Sequence, residues 1–183
     1  MEWRNYTASV NEEGGKWGGY LNAYIDAAFA PENENLKLGD FDFTVDFWAK
    51  NVDSRTENSM FYFYLSIGSS LLSCTFQHSE KNSYNHKITL STENYANSTQ
   101  ALSTMYDGNF HHCAFVFIRD EFKLIFFLDG VGLYSHTISQ QNQQYLSAQD
   151  FYFYIKRAHI DELRILPTTA LWKENFTPPT EPY

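Results

Sequence analysis

The chain has 183 residues, a length that suits one domain whose hydrophobic core needs no staples. Lys and Arg total 13 against 22 Asp and Glu, and the formal charge of −9 argues against a nucleic-acid backbone or an anionic membrane as main partner, since both demand a basic footprint. Aromatic residues make up 18% and charged residues only 19%, too apolar a mixture for disorder, and no run approaches the ~20 apolar residues of a membrane helix.

The opening Met1-Glu2-Trp3-Arg4-Asn5-Tyr6 lacks the apolar stretch of a signal peptide, and residues 1–20 are expected to form an amino-terminal arm. Gly14-Gly15-Lys16-Trp17-Gly18-Gly19 follows. A phosphate loop needs Gly-Lys followed by Ser or Thr and then a helix; here Trp17 follows Lys16, so the stretch reads as a tight turn. From Phe41 to Trp48 apolar and polar residues alternate with the period of a strand. Met60 to Ile67, Leu71 to Gln77, Lys87 to Thr92, Phe110 to Ile118, Phe122 to Leu128, Phe151 to Lys156 and His159 to Leu166 are similarly rich in Phe, Tyr, Ile and Val. Asp129-Gly130 joins Phe122–Leu128 to Val131–Ile138 as a tight hairpin, and Asp107-Gly108-Asn109 introduces another strand. Helical periodicity is missing apart from a short turn expected at Thr168 to Glu174. The stretches Asn94 to Ser103 and Ser139 to Gln149 are loop-like but too short to divide domains. The expected class is all-β, a single domain over residues 1–183 built as an antiparallel sandwich or barrel.

Cys74 and Cys113 both sit in apolar runs and read as buried thiols, with a disulfide between neighbouring strands as the alternative. The tetrad Phe-Tyr-Phe-Tyr occurs twice, at Phe61–Tyr64 and Phe151–Tyr154. Strand alternation turns the phenylalanines one way and Tyr62, Tyr64, Tyr152 and Tyr154 the other. Four tyrosines on one face form either a ligand surface or a face covered by loops or a neighbouring subunit, because rings with wet tips suit both.

Four stretches, taken in order, resemble the concanavalin A-like, laminin-G-type jelly-roll domains of phage and bacterial proteins. They are LKLGDFDFTVDFWAK (Leu36 to Lys50), DGNFHHCAFVFIRDEFKLIFFLDG (Asp107 to Gly130), HIDELRIL (His159 to Leu166) and NFTPPTEPY (Asn175 to Tyr183). Phe110 stands where a Trp is usual before the histidines, and Cys113 where a Val is usual. The resemblance implies an antiparallel two-sheet jelly-roll β-sandwich, with Phe43 and Trp48 in structural positions and His112 as a buried hydrogen-bonding residue that pins a loop. It does not imply one function, because the scaffold carries lectins, adhesins, glycosidases and structural modules alike.

Glycosidases of this scaffold carry paired carboxylates on one strand, about 5 Å apart in a retaining mechanism. Asp42 and Asp46 come closest here, yet no glutamate joins them, and the adjacent Asp161 and Glu162 are expected to face opposite ways. His111 and His112 split between faces with no third ligand at metal spacing. A non-enzyme is therefore expected. Domains of the kind this chain resembles often hold one structural calcium, and Asp161 matches a ligand position there that Asp26 could complement, but the sequence requires no cofactor, and Asp161 could equally accept backbone N–H groups at a turn. The leading expectation is a carbohydrate-binding or adhesion module at a virion or extracellular surface, its partner a cell-surface glycan. The rival is a structural decoration or assembly protein whose tyrosine face meets neighbouring virion subunits or another copy of the chain.

Overall fold

The computed structural model describes residues 3–5, 9–23, 27–29, 40–51, 60–67, 72–77, 86–90, 95–98, 105, 107–143, 151–156 and 158–183, with side chains over 11–19, 40–50, 105, 107–141, 143 and 158–183. Its described elements are strands with one short helical turn. In chain order they are β1 (Trp3–Asn5), β2 (Ser9–Asn11), β3 (Tyr20–Ala23), β4 (Ala27–Phe29), β5 (Phe43–Asn51), β6 (Met60–Ile67), β7 (Leu72–Gln77), β8 (His86–Leu90), β9 (Tyr95–Ser98), β10 (His111–Ile118), β11 (Lys123–Leu128), β12 (Val131–Thr137), α1 (Gln140–Gln143), β13 (Phe151–Lys156) and β14 (Ala158–Pro167). The chain is all-β.

Every pairing is antiparallel. One sheet runs β1-β4-β13-β6-β7-β8-β9 and the other β12-β11-β10-β5-β14-β3-β2. The first twenty residues, expected as an arm, instead contribute β1, β2 and the start of β3 to the two sheets. The helical turn also falls elsewhere than expected: it forms at Gln140–Gln143, where Gln143 N donates to Ser139 O, and not at Thr168 to Glu174.

At the centre of the second sheet, β5 and β10 are buried on both faces. One face is phenylalanine: Phe43 stacks on Phe117 at 5.3 Å, and Phe115 lies 5.0 Å from Phe126 and 6.5 Å from Phe47. The opposite face carries the polar half of the strand alternation, and there Thr44, Asp46 and His112 are fully buried. Their cover is the tail, residues 168–183. Trp172 and Phe176 stack at 3.9 Å and pack, with Ala170, on Ala114, Val116, Ile118, Ile125 and Phe127. Hydrogen bonds to the tail's backbone lock it at two places. Thr44 Oγ1 donates to Thr169 O and accepts from Leu171 N, while Phe176 N donates to Gly130 O. The Asp129-Gly130 turn has both residues at positive φ, 49° and 77°, the twist that a two-residue hairpin requires.

Candidate functional site

Beneath the tail lies a buried polar cluster centred on Asp46. Its register partner on β14 is Arg164, whose Nε and Nη2 donate to the two carboxylate oxygens at 2.9 and 2.8 Å. His112 Nε2 lies 3.1 Å from Asp46 Oδ2, and the Tyr183 hydroxyl donates to the same oxygen. Burial pushes the Asp46 carboxyl up, but the bonds from His112, Arg164 and Tyr183 outweigh it and hold the group below the usual carboxylate range. Burial and the adjacent Asp46 carboxylate push the Tyr183 phenol up. The Arg164 guanidinium also covers the Tyr183 ring at 3.6 Å, and Tyr183 N donates to Glu162 Oε2. His112 is walled by Trp48, Trp172 and Phe176. It pins the tail. Both Asp46 oxygens are engaged, Oδ1 by Arg164 and Oδ2 by Arg164, His112 and Tyr183, while His112 Nδ1 is buried without a hydrogen-bond partner.

Asp42, Asp107 and Asp129 also hold backbone or side-chain donors. Asp42 Oδ1 accepts from Arg119 N at 2.7 Å, so the strand pair considered for hydrolysis is built into backbone and ion-pair contacts. His111 bridges two turns, with Nδ1 at 2.7 Å from Asp129 and Nε2 at 3.0 Å from Asp107. Burial would lower its pKa, but the two carboxylates outweigh that and raise it above the ordinary histidine range. Slight burial of Asp107 is outweighed by bonds from His111 and Asn109, which bring its pKa down to about 2. Asp129 is held below the usual range in the same way, against a larger burial effect, by His111 and the His112 amide. On β14, burial and then the Lys50 charge push His159 down to about 4.

Asp161 is an amide acceptor. Its Oδ2 takes Trp17 N at 3.1 Å and its Oδ1 takes Glu162 N at 2.9 Å, while Asp26 lies outside the described residues. Among the described residues no three His, Cys, Asp or Glu side chains gather as a metal site. The register slips between Asp161 and Arg164, and Glu162 sits at φ 52°. The alternation assumed for Asp161 and Glu162 therefore fails at a bulge. By anchoring Trp17, Asp161 sets that indole edge-on against Trp48 at 5.2 Å, with Lys16 Nζ 4.4 Å from the Trp48 ring centre. The glycine-rich turn is thus an aromatic clip, closed by Gly15 N donating to Gly18 O.

The side chains of Tyr62, Tyr64, Tyr152 and Tyr154 lie outside the described residues, as does that of Cys74, but their strands are described. In the register of β13 with β6, Tyr154 stands opposite Tyr64, Tyr152 opposite Ser66 and Lys156 opposite Tyr62. All four tyrosine positions thus fall on one side of a two-strand ribbon. Phe43 is fully buried, Trp48 nearly so, and Cys113 is buried within β10. Sequence reasoning missed Arg164 and Tyr183. The signal available was the one arginine of β14 and an aspartate midway along β5.

No family model matches the sequence, and no curated protein matches it. Solved structures do resemble it in fold. The binding domain of Paraclostridial Mosquitocidal Protein 1 superposes with a TM-score of 0.58 at 11% identity, covering 93% of this chain and 45% of that one. The CBM2 module of the evolved Dit of Lactobacillus casei BL23 phage J-1 has a TM-score of 0.52 at 11% identity, covering 87% and 83%. Domain 4 of an extracellular arabinanase from Geobacillus stearothermophilus, in complex with arabinotriose, has a TM-score of 0.53 at 16% identity, covering 90% and 77%. This chain spans less than half of the toxin binding domain and most of the other two. At these identities the likeness is one of fold, an all-β chain of antiparallel sheets. No helix among the described residues is long and apolar enough to cross a membrane.

Proposed function

We propose that this chain is a non-catalytic glycan-binding module of a virion or extracellular surface, its two sheets facing one another as a concanavalin A-like jelly roll. Resemblance to the arabinotriose-bound arabinanase domain and to the phage module supports the glycan and the location. The observation that carries the binding face is the register of β6 with β13, which sets Tyr64 against Tyr154 and gathers Tyr62 and Tyr152 on the same side. Tyrosine suits a sugar because its ring lies against the apolar C–H face of a pyranose while its hydroxyl bonds the ring's own hydroxyls. Asp42 and Asp46 hold the fold in this reading and cleave nothing.

The test is a glycan array read with the wild type, Tyr64→Ala and Tyr154→Ala, followed by titration of any hit. Each substitution should weaken binding by about 1–2 kcal/mol. An array without a hit, or variants that bind as the wild type does, would overturn the reading. In the rival reading the same tyrosine face meets a neighbouring subunit. Native mass measurement separates them, since only a subunit contact makes the two variants fall apart into smaller species.

A further inference from the structure

A cleft of about 210 Å³ opens between the β11–β12 ribbon and the tail at Lys173–Asn175, and none of its described lining residues belongs to β6 or β13. Two features of the chain create it. β12 is the edge strand of its sheet, and the β11–β12 register slips between Phe126 and Phe127, a bulge that leaves Leu133 without a register partner. Gly132 then faces the tail without a side chain, donating its N–H to Asn175 Oδ1 at 2.9 Å. At its base lie Ile125 and Phe127, both already buried and packed under Ala170, Trp172 and Phe176.

The rim is rich in donors. Lys123 and Lys173 both line it, in a chain of net charge −9. Lys123 shares a loose 3.6 Å pair with Glu121, and Lys173 has no ion pair among the described residues. Asn175 has spent its carbonyl oxygen on Gly132, which leaves its NH₂ to donate, and Ser135 adds a hydroxyl. Glu174 is the one carboxylate on the rim and can accept from a ligand hydroxyl. A volume below that of a drug-sized site fits a single sugar ring. Two ammonium groups beside amide and hydroxyl donors suit a carboxylate carried by such a ring. We propose that this cleft is a saccharide site separate from the tyrosine face, selective for a carboxylate-bearing sugar residue.

The test is an amide NMR titration with tri-galacturonic acid and with neutral galactotriose. The acidic trisaccharide should shift the Gly132 and Asn175 amides and bind at least about tenfold more tightly than the neutral one, as charge-assisted bonds predict. The double substitution Lys123→Gln, Lys173→Gln should weaken the acidic sugar about tenfold or more while leaving the thermal midpoint unchanged. Gly132→Ala provides a steric probe. Its φ lies outside the left-handed region, and the added methyl would stand 3.4 Å from the Phe127 ring and 3.5 Å from Asn175 Oδ1, narrowing the cleft without a clash. No binding of either sugar, equal binding of both, or lysine variants that bind as the wild type does would overturn the proposal. So would shifts confined to β6 and β13, an outcome that leaves the tyrosine face standing.

Discussion

Arg164 and Asp46 face each other across β14 and β5, and the guanidinium fork meets both carboxylate oxygens, at 2.9 and 2.8 Å. The Asp46 side chain is fully buried while that of Arg164 remains a quarter exposed, so the arginine links the buried carboxylate to the surface. Planar bidentate geometry is something lysine cannot reproduce. Tyr183 and His112 complete the shell, and through Tyr183 the cluster holds the tail against the sheet.

Arg164→Ala should therefore cost about 3–5 kcal/mol, the usual result of leaving a buried charge without its partner. Arg164→Lys should recover only part of that. Urea unfolding measures both. A loss below about 1 kcal/mol for the alanine variant would mean that His112 and Tyr183 suffice to hold the carboxylate.

The two faces of the β5–β10 pair should respond differently to truncation. Phe43 is fully buried and stacked on Phe117, so Phe43→Ala should cost about 3–5 kcal/mol. Phe176 is only partly buried between Trp172 and Phe127, and Phe176→Ala should cost less, about 2 kcal/mol. Denaturant midpoints would rank them. The reverse order would show that the tail is a larger part of the core than its exposure implies.

Two histidines give stability opposite pH slopes. The folded pKa of His111 lies above the ordinary 6.5, so its contribution is complete below pH 6.5 and is lost as pH rises through the folded value. His159 is depressed to about 4, so its contribution is complete above pH 6.5 and is lost as pH falls from there towards 4. Asp46, Asp129 and Asp107 lose theirs below the ordinary 3.8, Asp107 down to about 2. Unfolding free energy measured from pH 3 to 9 should fall on both sides. His159→Asn should flatten the slope between pH 6.5 and 4, and His111→Asn the slope on the alkaline side. If either slope survives its substitution, that histidine is not the group responsible.

The strands legible in the sequence were those with a repeated signal. Phe41 to Trp48 carried period-two alternation, and Asp129-Gly130 carried the positive-φ chemistry of a hairpin turn. β1, β2 and β4 are three-residue strands of mixed composition, too short for periodicity to register. Alternation alone does not tell a covered face from a wet one at Thr44 and Asp46. A polar residue every second position resembles a solvent face, yet both are buried, because a tail 125 residues away in sequence closes over Thr44. The partner of Asp46 is as remote, at a separation of 118 residues, and no local spacing rule spans such a distance. Glu162 shows the other blind spot: a bulge reverses which way neighbouring side chains point, and nothing in IDELRIL announces one. The cleft was invisible for the same reason, since it is made by a register slip and by a tail segment that only the fold brings together.

Gly130 and Gly108 make the sharpest internal comparison. Both occupy the left-handed region, at φ 77° and 85°, so an alanine at either position carries a backbone cost of about 1–2 kcal/mol. Their surroundings differ. A methyl at Gly108 would meet nothing within 4 Å, whereas at Gly130 it would fall 1.9 Å from the Phe176 carbonyl oxygen, a backbone atom that cannot rotate away. The same Gly130 accepts Phe176 N at 2.9 Å, so relieving the clash means breaking the bond that docks the tail. Gly108→Ala should thus lower stability by about 1 kcal/mol with the tail in place. Gly130→Ala should lower it by at least about 2 kcal/mol more, adding loss of the tail hydrogen bond and of Phe176 packing to the shared backbone cost. Hydrogen exchange reads the mechanism directly: the Phe176 amide should lose protection in the Gly130 variant and keep it in the Gly108 variant. Equal losses of stability in the two, with Phe176 protected in both, would mean that the tail is not held at this turn.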